Sequence, residues 1–517
     1  MTSPYGTVEI PDVSLPELMT HSASALGAKS ALVDGPSGRT ITYEQFVGGM
    51  RAVASGLQVR GFAKGDVMAV FLPNLPEYAL VFHGVALAGG INTTINPLYT
   101  AEELAFQLND SKARFLVTIP QFLDRALEAK EKSGVEEVFV LGEAPGATPF
   151  TELMGAGAPE EVAIDPNEDL VVLPYSSGTT GLPKGVMLTH RNLVANIVQA
   201  EKCQLVTPED TIIAVLPFFH IYGMNVIMNI GLHRGATVVT MPRFDLERFL
   251  QLIQDHKVTR AYLVPPIVLA LAKHPIVQKY DLSNLRLIMS GAAPLGSELA
   301  TACGDRIGCY VMQGYGLTET SPVTHCIPED PGRNKPGSIG PVIPNTEAIV
   351  VDPASGEEAQ PGELGEVWIR GPQVMRGYLN NDEATKITID GDGWLHTGDI
   401  GRVDEEGYFF LVDRLKELIK YKGYQVPPAE LEALIITHPR VSDVAVIGVP
   451  DEEAGEIPKA FVVTAEDLSG DELMAWVAEH VAPYKKVRRV QIVEEIPKSA
   501  SGKILRRVLK EKETAAS

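Results

Sequence analysis

The stretch of the chain with the clearest chemical potential is residues 176–184, which read SSGTTGLPK. Four hydroxyl side chains and two glycines precede Lys184, directly after the apolar run 170–173. A strand that ends in such a turn presents backbone N–H groups and hydroxyls to an anion, and the lysine adds positive charge. It is not a Walker A loop, because Gly178 and Gly181 are separated by two residues instead of four. The pattern predicts a phosphate-binding loop, with a flexible surface loop as the alternative.

A second group of reactive residues lies in the sequence QGYGLTET. Tyr315 stands between Gly314 and Gly316, so that backbone can approach a planar ligand while the ring stacks on it. Thr318 can donate a hydrogen bond to a phosphate, and Glu319 is a hard oxygen ligand of the kind that binds Mg²⁺ on a polyphosphate. A glycine-rich turn with a packed tyrosine is the alternative interpretation.

Three further motifs are weak signals when each is taken alone. Asp399 follows a Thr-Gly pair and could hold ribose hydroxyls. Residues 413–425 alternate charged with apolar side chains, which is also typical of an exposed, salt-bridged segment. Lys503, in the loop PKSASGK, could reach an anion, although a lysine in such a loop is usually solvated.

Length and charge limit the class of protein. A chain of 517 residues is too long for one hydrophobic core and should divide into domains. Its net charge of −22 argues against nucleic acid or an anionic membrane as the main partner. The four cysteines lack metal-ligand spacing, and the N-terminal residues lack a secretory pattern, so we expect a cytoplasmic protein.

One segment is long enough to span a bilayer. Residues 211–233 contain no Asp, Glu, Lys or Arg. Pro217, His220 and Asn225 interrupt the segment, and polar groups are costly inside hydrocarbon. The segment therefore predicts a buried strand, turn and helix, and no integral membrane span.

The pattern of elements predicts an α/β fold. Short apolar strands alternate with helices through most of the chain, as in parallel sheets covered by helices. Residues 331–413 are rich in Pro, Gly and strand-like segments and predict a small β-rich subdomain. We expect an N-terminal domain of residues 1–413 and a small α+β domain of residues 414–517.

Taken together and in this order, the five motifs resemble the superfamily of adenylate-forming enzymes. This superfamily includes acyl-CoA synthetases, 4-coumarate:CoA ligases, beetle luciferases and nonribosomal adenylation domains. The resemblance covers about residues 43–507. The amino-acid sequences of the motifs are most similar to those of the 4-coumarate:CoA ligase and luciferase branch. It implies stacked αβ sheets with a small β-barrel subdomain, followed by a mobile C-terminal domain. It also implies that ATP and a carboxylate form an acyl-adenylate, from which the thiol of coenzyme A then displaces AMP.

The resemblance assigns roles to individual residues. ATP or AMP would be bound by Ser176, Ser177, Gly178, Thr179, Thr180, Gly181, Lys184, Gly291, Ala292, Ala293, Pro294, Gln313, Gly314, Tyr315, Gly316, Asp399 and Arg414. The catalytic residues would be Lys503, which bridges the carboxylate and the α-phosphate, Thr318 at the α-phosphate, Glu319 on Mg²⁺, and His220 as a gate. Lys416 matches the hinge, and Lys420, Lys422 and Gly423 match the loop that meets coenzyme A.

The acid is the least determined substrate. Candidate acyl-pocket residues are Tyr222, Asn225, Tyr310, Met312, Pro322 and Val323. Tyr310 and Met312 stand where the hydroxycinnamate ligases tend to have Lys and Gly, and Met312 adds bulk. An aryl (hydroxycinnamate-like) acid and a medium-chain fatty acid both remain open, as do a monomer and a homodimer.

Two alternative functions also remain. The chain could adenylate an acid for another acceptor, either a carrier-protein thiol or, as in luciferases, oxygen. It could also be a catalytically silent nucleotide-binding protein.

Overall fold

The computed structural model describes residues 2–176, 183–422, 424–451, 453–499 and 502–516. The strands, in chain order, are β1 (Ser30–Asp34), β2 (Thr40–Thr42), β3 (Val67–Val70), β4 (Ile91–Thr94), β5 (Ala113–Thr118), β6 (Glu137–Val140), β7 (Thr148–Pro149), β8 (Leu170–Ser176), β9 (Lys184–Thr189), β10 (Thr211–Ala214), β11 (Thr237–Thr240), β12 (Arg260–Leu263), β13 (Leu287–Ser290), β14 (Tyr310–Gly316), β15 (Val323–Cys326), β16 (Glu347–Val351), β17 (Gly365–Arg370), β18 (Gly377–Tyr378), β19 (Leu395–Val403), β20 (Phe409–Arg414), β21 (Ile419–Tyr421), β22 (Tyr424–Val426), β23 (Val441–Asp451), β24 (Gly455–Thr464) and β25 (Arg489–Ile492).

The α-helices are α1 (Leu15–Ala23), α2 (Tyr43–Val59), α3 (Pro76–Leu87), α4 (Ala101–Ser111), α5 (Leu123–Glu131), α6 (Phe150–Leu153), α7 (His190–Ala200), α8 (Ile230–His233), α9 (Leu246–Asp255), α10 (Pro265–Lys273), α11 (Ser297–Ile307), α12 (Asp382–Thr388), α13 (Pro428–Ile435), α14 (Gly470–His480) and α15 (Arg506–Ala516). Local sequence explains where many of them begin. In α2, for example, Thr42 and Gln45 form a reciprocal capping box at the start of the helix.

Two eight-stranded sheets form the body of the N-terminal part. Their strand orders are β18-β9-β8-β4-β3-β5-β6-β7 and β15-β14-β13-β12-β10-β11-β1-β2. The central pairs of both sheets are parallel. The mixed α/β class is therefore confirmed, and the carboxyl ends of β12, β13 and β14 meet at one edge, where open α/β sheets bind ligands.

The segment that was examined as a membrane span is buried instead. It forms β10, a turn, a π-helical stretch Tyr222–Asn229 and then α8, which confirms the predicted strand, turn and helix. Across the described residues, no helix is long and apolar enough to cross a membrane.

Two smaller sheets follow. The β-rich segment forms a four-stranded antiparallel sheet of linear order β16-β17-β19-β20, and an isolated bridge joins Gly340 to Phe409 beside β20. This four-stranded sheet stands where the resemblance implies a small β-barrel subdomain. The last sheet has the order β22-β21-β24-β23, with β25 beside β24. Its two hydrophobic clusters contain no buried residue before Ile419, so this part of the chain packs around cores of its own.

Candidate active site

Glu319 lies at the centre of the first group of site residues. It sits in the 3₁₀ turn Thr318–Thr320, is 8% exposed, and its Oε1 accepts a hydrogen bond of 2.9 Å from the Tyr378 hydroxyl. The ring of Tyr378 in turn lies 4.9 Å from Nζ of Lys184. Burial and the Glu319 carboxylate raise the pKa of Tyr378, so its hydroxyl remains a donor. A carboxylate and a lysine amine thus flank one tyrosine at the start of β9.

Tyr378 was not among the residues predicted from the sequence. It reaches the site because β18 pairs with β9 next to the predicted phosphate loop. A tyrosine after a glycine is too common a signal to have indicated this position.

Asp399 organises the second group. Its Oδ2 accepts a hydrogen bond of 2.5 Å from the Tyr315 hydroxyl, and its Oδ1 lies 3.2 Å from Nε of Arg414. Asp399 and Arg414 are directly opposed in the β19–β20 ladder, so the backbone register sets this ion pair. The structure therefore brings together a ring, a carboxylate and a guanidinium that the sequence places up to a hundred residues apart.

Lys503 joins this site from the C-terminal part of the chain. Its charged amine is largely removed from water, and this desolvation lowers its pKa to about 8. That value includes a smaller lowering by the charge of Arg414 and an opposing rise from the Asp399 and Glu319 carboxylates, so the Lys503 amine interacts electrostatically with both groups described above. Its loop is a tight turn in which Ser499 N–H donates to the Lys503 carbonyl at 2.8 Å.

His220 is close enough to Lys503 for the two side chains to interact electrostatically. Burial, together with the Lys503 charge, lowers the pKa of its imidazole to about 4. Its Nδ1 accepts a hydrogen bond of 3.3 Å from the Tyr222 N–H. A neutral ring at this position can shield the site or move aside, but it adds no positive charge at neutral pH.

The predicted adenine loop, residues 291–294, follows β13. Its neighbour Leu295 donates its N–H to Oε1 of Gln313 at 3.1 Å, and Ala292 adopts a left-handed conformation with φ of 68°. Gln313 was predicted to bind the nucleotide, and the structure shows that its side-chain oxygen holds the loop in place. Its Nε2 is buried and has no hydrogen-bond partner within the described residues.

The two glycines around Tyr315 leave no room for a side chain. A Cβ on Gly314 would lie 2.3 Å from Cε of Met289, and a Cβ on Gly316 would lie 2.0 Å from the Pro322 carbonyl oxygen. Protein atoms therefore occupy the space on the side of the backbone where a side chain would lie. These glycines are needed because the chain packs against itself here.

The acyl-pocket candidates Tyr222 and Asn225 both make buried hydrogen bonds. The Tyr222 hydroxyl donates to the Met289 carbonyl at 3.1 Å, and Asn225 Nδ2 donates to the Ser321 carbonyl at 2.7 Å. Asn225 therefore ties the π-helical stretch to the loop that carries Glu319. Pro322 accepts a hydrogen bond from Thr320 Oγ1 at 2.6 Å, and Val323 is buried at the start of β15.

Tyr310 and Met312 are separated in the structure. Tyr310 begins β14, far from the edge where the site lies, and its hydroxyl donates to the Pro328 carbonyl at 3.0 Å. Tyr310 stands at the opposite end of the strand from Gly316, and its assignment to the acyl pocket stays a prediction. Met312 is 1% exposed and lies beside Met289, whose side chain reaches Gly314.

The hinge and loop candidates lie outside this cluster. Lys416 is exposed, just after Leu415, whose N–H is bonded to the Gly398 carbonyl. Lys422 Nζ lies 2.5 Å from Glu453, and the Lys420 N–H donates to Glu456. In this arrangement Lys503 lies at the site, and the Lys422 amine is paired within the C-terminal segment.

Some predicted residues lie outside the described part of the chain. They are Ser177, Gly178, Thr179, Thr180, Gly181 and Gly423. Ser176 and Lys184, the residues on either side of the phosphate loop, are paired across β8 and β9.

Comparisons with known proteins place this geometry in a family. The model of the AMP-binding enzyme family matches residues 19–379, and that of the AMP-binding enzyme C-terminal domain matches residues 430–503. The chain belongs to the AMP-binding enzyme family. It is 45% identical to 4-coumarate–CoA ligase 2 of Petroselinum crispum, over 98% of this chain and 96% of that protein.

Solved structures of the AMP-binding enzyme family extend the comparison. The anthranilate CoA ligase AuaEII, in complex with anthranoyl-AMP, matches with a TM-score of 0.91 at 29% identity, over 99% of both chains. ATP-bound MatB from Rhodopseudomonas palustris matches with 0.88 at 30% identity, over 98% of this chain and 100% of that one. The apo form of MatB matches with a TM-score of only 0.78, over the same shares of both chains. The arrangement of this chain is therefore more similar to the ATP-bound form.

Proposed function

We propose that this protein is an AMP-forming carboxylate:CoA ligase, which activates an acid with ATP and transfers the acyl group to coenzyme A. The observation that carries the proposal is the convergence of Glu319, Asp399 and Lys503 on one site from three distant parts of the chain. A buried cation between groups suited to phosphate and to ribose is the arrangement that acid activation needs.

The nucleotide would lie along the edge formed by β13, β14 and β19. Asp399 and Arg414 would hold the ribose, and Tyr315, whose ring is fixed through Asp399, would pack on the adenine with the loop 291–294. Thr318 would contact the α-phosphate, and Lys184 with the loop at 176–181 would hold the outer phosphates.

Lys503 is the residue that would serve the first chemical step. The carboxylate and the α-phosphate are both anionic and repel one another as they approach. A lysine between them neutralises that repulsion and fixes the attacking oxygen in line. Carboxylate attack forms the C–O–P bond of the acyl-adenylate, and the bond to pyrophosphate breaks.

Magnesium is part of the proposal. The described residues contain no group of three or more His, Cys, Asp or Glu that could hold a metal by themselves. The Glu319 carboxylate fits Mg²⁺ that arrives on ATP, because this ion is usually held by one or two carboxylates plus substrate phosphates. Bound there, Mg²⁺ would neutralise developing charge on the polyphosphate.

The acid would enter beside Tyr222 and His220 and extend towards Met289 and Met312. Both methionines are almost fully buried, so the inner end of this region is apolar and filled. We propose an aryl, hydroxycinnamate-like acid or a medium-chain fatty acid, of a length limited by Met312.

The second step requires a different arrangement of the chain. We propose that residues 414–517 rotate as a domain against residues 1–413 about Lys416. This rotation would withdraw Lys503 and bring the loop with Lys420, Lys422 and Gly423 to the acyl-adenylate, where the thiol of coenzyme A attacks. We further propose a cytoplasmic setting, in line with four unpaired cysteines, and a monomer or homodimer.

The test is a direct product analysis. The protein is incubated with ATP, Mg²⁺ and a panel of aryl and fatty acids, with and without coenzyme A, and products are identified by mass. We expect acyl-AMP without coenzyme A and acyl-CoA with it. Acyl-AMP that never becomes acyl-CoA would indicate another acceptor, and no acyl-AMP from the whole panel would contradict the proposal.

A further inference from the structure

Helix α10 of the N-terminal part touches the C-terminal part at both of its ends. At its start, a Cβ built on Gly502 would lie 3.0 Å from Cγ2 of Val264 and 3.9 Å from Cδ of Pro266. At its last residue, Nζ of Lys273 donates a hydrogen bond of 3.0 Å to the Ile436 carbonyl. The two contacts are separated by the length of α10, about 12 Å at 1.5 Å per residue.

The contact at Lys273 is chemically specific. Ile436 is the C-cap of α13, where the last carbonyl groups of a helix lack intrahelical partners. The negative end of the helix dipole lies there, so a cation is favoured. The last turn of α13 contains no basic residue. Lys273, which belongs to the N-terminal part of the chain, supplies the cation there.

Lys273 is also presented from a fixed position. Arg306 of α11 donates to the carbonyls of Leu271 and His274, at 3.2 and 2.8 Å, on either side of Lys273. The end of α10 is thereby held to its own part of the molecule. The backbone that carries Lys273 is therefore fixed on both sides by hydrogen bonds from Arg306.

The two contacts of α10 join residues on opposite sides of the proposed hinge, Lys416. Val264 and Lys273 precede Lys416 in the chain, whereas Ile436 and Gly502 follow it. A rotation about Lys416 that withdraws Lys503 must therefore break both contacts of α10. Gly502 is the immediate neighbour of Lys503, so the contact at the start of α10 also places the lysine that serves the first step.

We propose that Lys273 is a positioning residue that selects the adenylating arrangement of the enzyme. It stabilises the state in which Lys503 is in the site and contributes nothing to the state that meets coenzyme A. This inference rests on the proposed two-step function. A net contribution typical of such hydrogen bonds corresponds to a shift of about 3- to 10-fold in the balance between the two states.

The test measures the two half-reactions separately. Acyl-AMP formation is followed without coenzyme A, and acyl-CoA formation is followed from supplied acyl-AMP, using the best acid of the panel. For Lys273→Met we expect acyl-AMP formation to fall about 3- to 10-fold, with thioester formation unchanged or faster. Lys273→Arg should keep acyl-AMP formation near that of the unaltered protein, because arginine keeps the positive charge and can still donate a hydrogen bond to the Ile436 carbonyl.

The matched control is Lys279→Met, which alters an exposed lysine of the same part of the chain, in the 3₁₀ turn Pro275–Lys279. It should leave both half-reactions unchanged. If Lys273→Met slowed both half-reactions equally, or neither, the inference would be overturned while the proposed function stood. If the unaltered protein formed no acyl-AMP, both would be overturned together.

Discussion

Lys503 is the residue on which the proposed chemistry depends, and its environment predicts a pH dependence. Desolvation, with Arg414 nearby, lowers its pKa to about 8, only partly opposed by Asp399 and Glu319. Below this pH the amine is protonated and can neutralise the carboxylate and the α-phosphate. Above it, the free enzyme loses that charge.

We therefore predict that kcat/KM for acyl-AMP formation falls as the pH rises through about 8. This parameter reports the ionisation of the free enzyme. Lys503→Arg, if it retains measurable activity, should remove that decline, because a guanidinium stays charged. A wild-type profile that is flat across this region would contradict the assignment of Lys503.

Several candidate site residues could be proposed from the sequence because the chemistry of each motif is local. Glu319, Asp399 and Lys503 each lie in a short segment whose residue types suit a phosphate, a ribose or an anion. Tyr378 and the loop-holding role of Gln313 were not predictable, because both depend on partners that only the folded chain brings near. The surroundings of Tyr310 were not predictable either, because its closeness in sequence to Met312 gives no sign that its hydroxyl donates to the Pro328 carbonyl.

At the scale of elements, an ion-pair network fixes β12. Arg260 is fully buried, and its guanidinium lies 2.8 Å from Asp210 and 2.8 Å from Glu329. Arg286 contacts the same two carboxylates but is 45% exposed. β12 leads directly into α10, so this network helps to position the helix that meets the C-terminal part.

Replacement of the buried Arg260 should lower the free energy of unfolding substantially. Arg260→Met leaves two poorly solvated carboxylates without their buried cation, and we expect a loss of about 3–5 kcal/mol in the free energy of unfolding. Arg286→Met, at the exposed end of the network, should cost about 1 kcal/mol or less. Thermal or denaturant unfolding of the two variants beside the unaltered protein checks this, and equal losses would contradict the role of burial.

Local patterns predicted elements better than they predicted what those elements touch. The capping threonine of α2 and the strand, turn and helix after residue 211 follow from residue types alone. Arg260 stands in a strand-like run, and the run gives no sign that its arginine is buried. Burial of a charge depends on Asp210 and Glu329 meeting it from other segments.

At the scale of the whole molecule, the sequence predicted the class and the order of segments but not the strand order. β1 joins the second large sheet between β11 and β2, although β3 to β9, which follow it in the chain, belong to the first sheet. Such pairing is decided by long-range packing, which short sequence patterns do not record. The boundary between residues 413 and 414 likewise stays a prediction, as does rotation about Lys416.

The central claim is that one site serves two reactions in two arrangements of the chain, and Lys503→Ala tests it most directly. Acyl-AMP formation is measured without coenzyme A, and acyl-CoA formation is measured from supplied acyl-AMP. We predict that acyl-AMP formation is abolished and that thioester formation remains largely intact, because Lys503 is withdrawn in the second arrangement. An equal loss of both half-reactions would contradict the account.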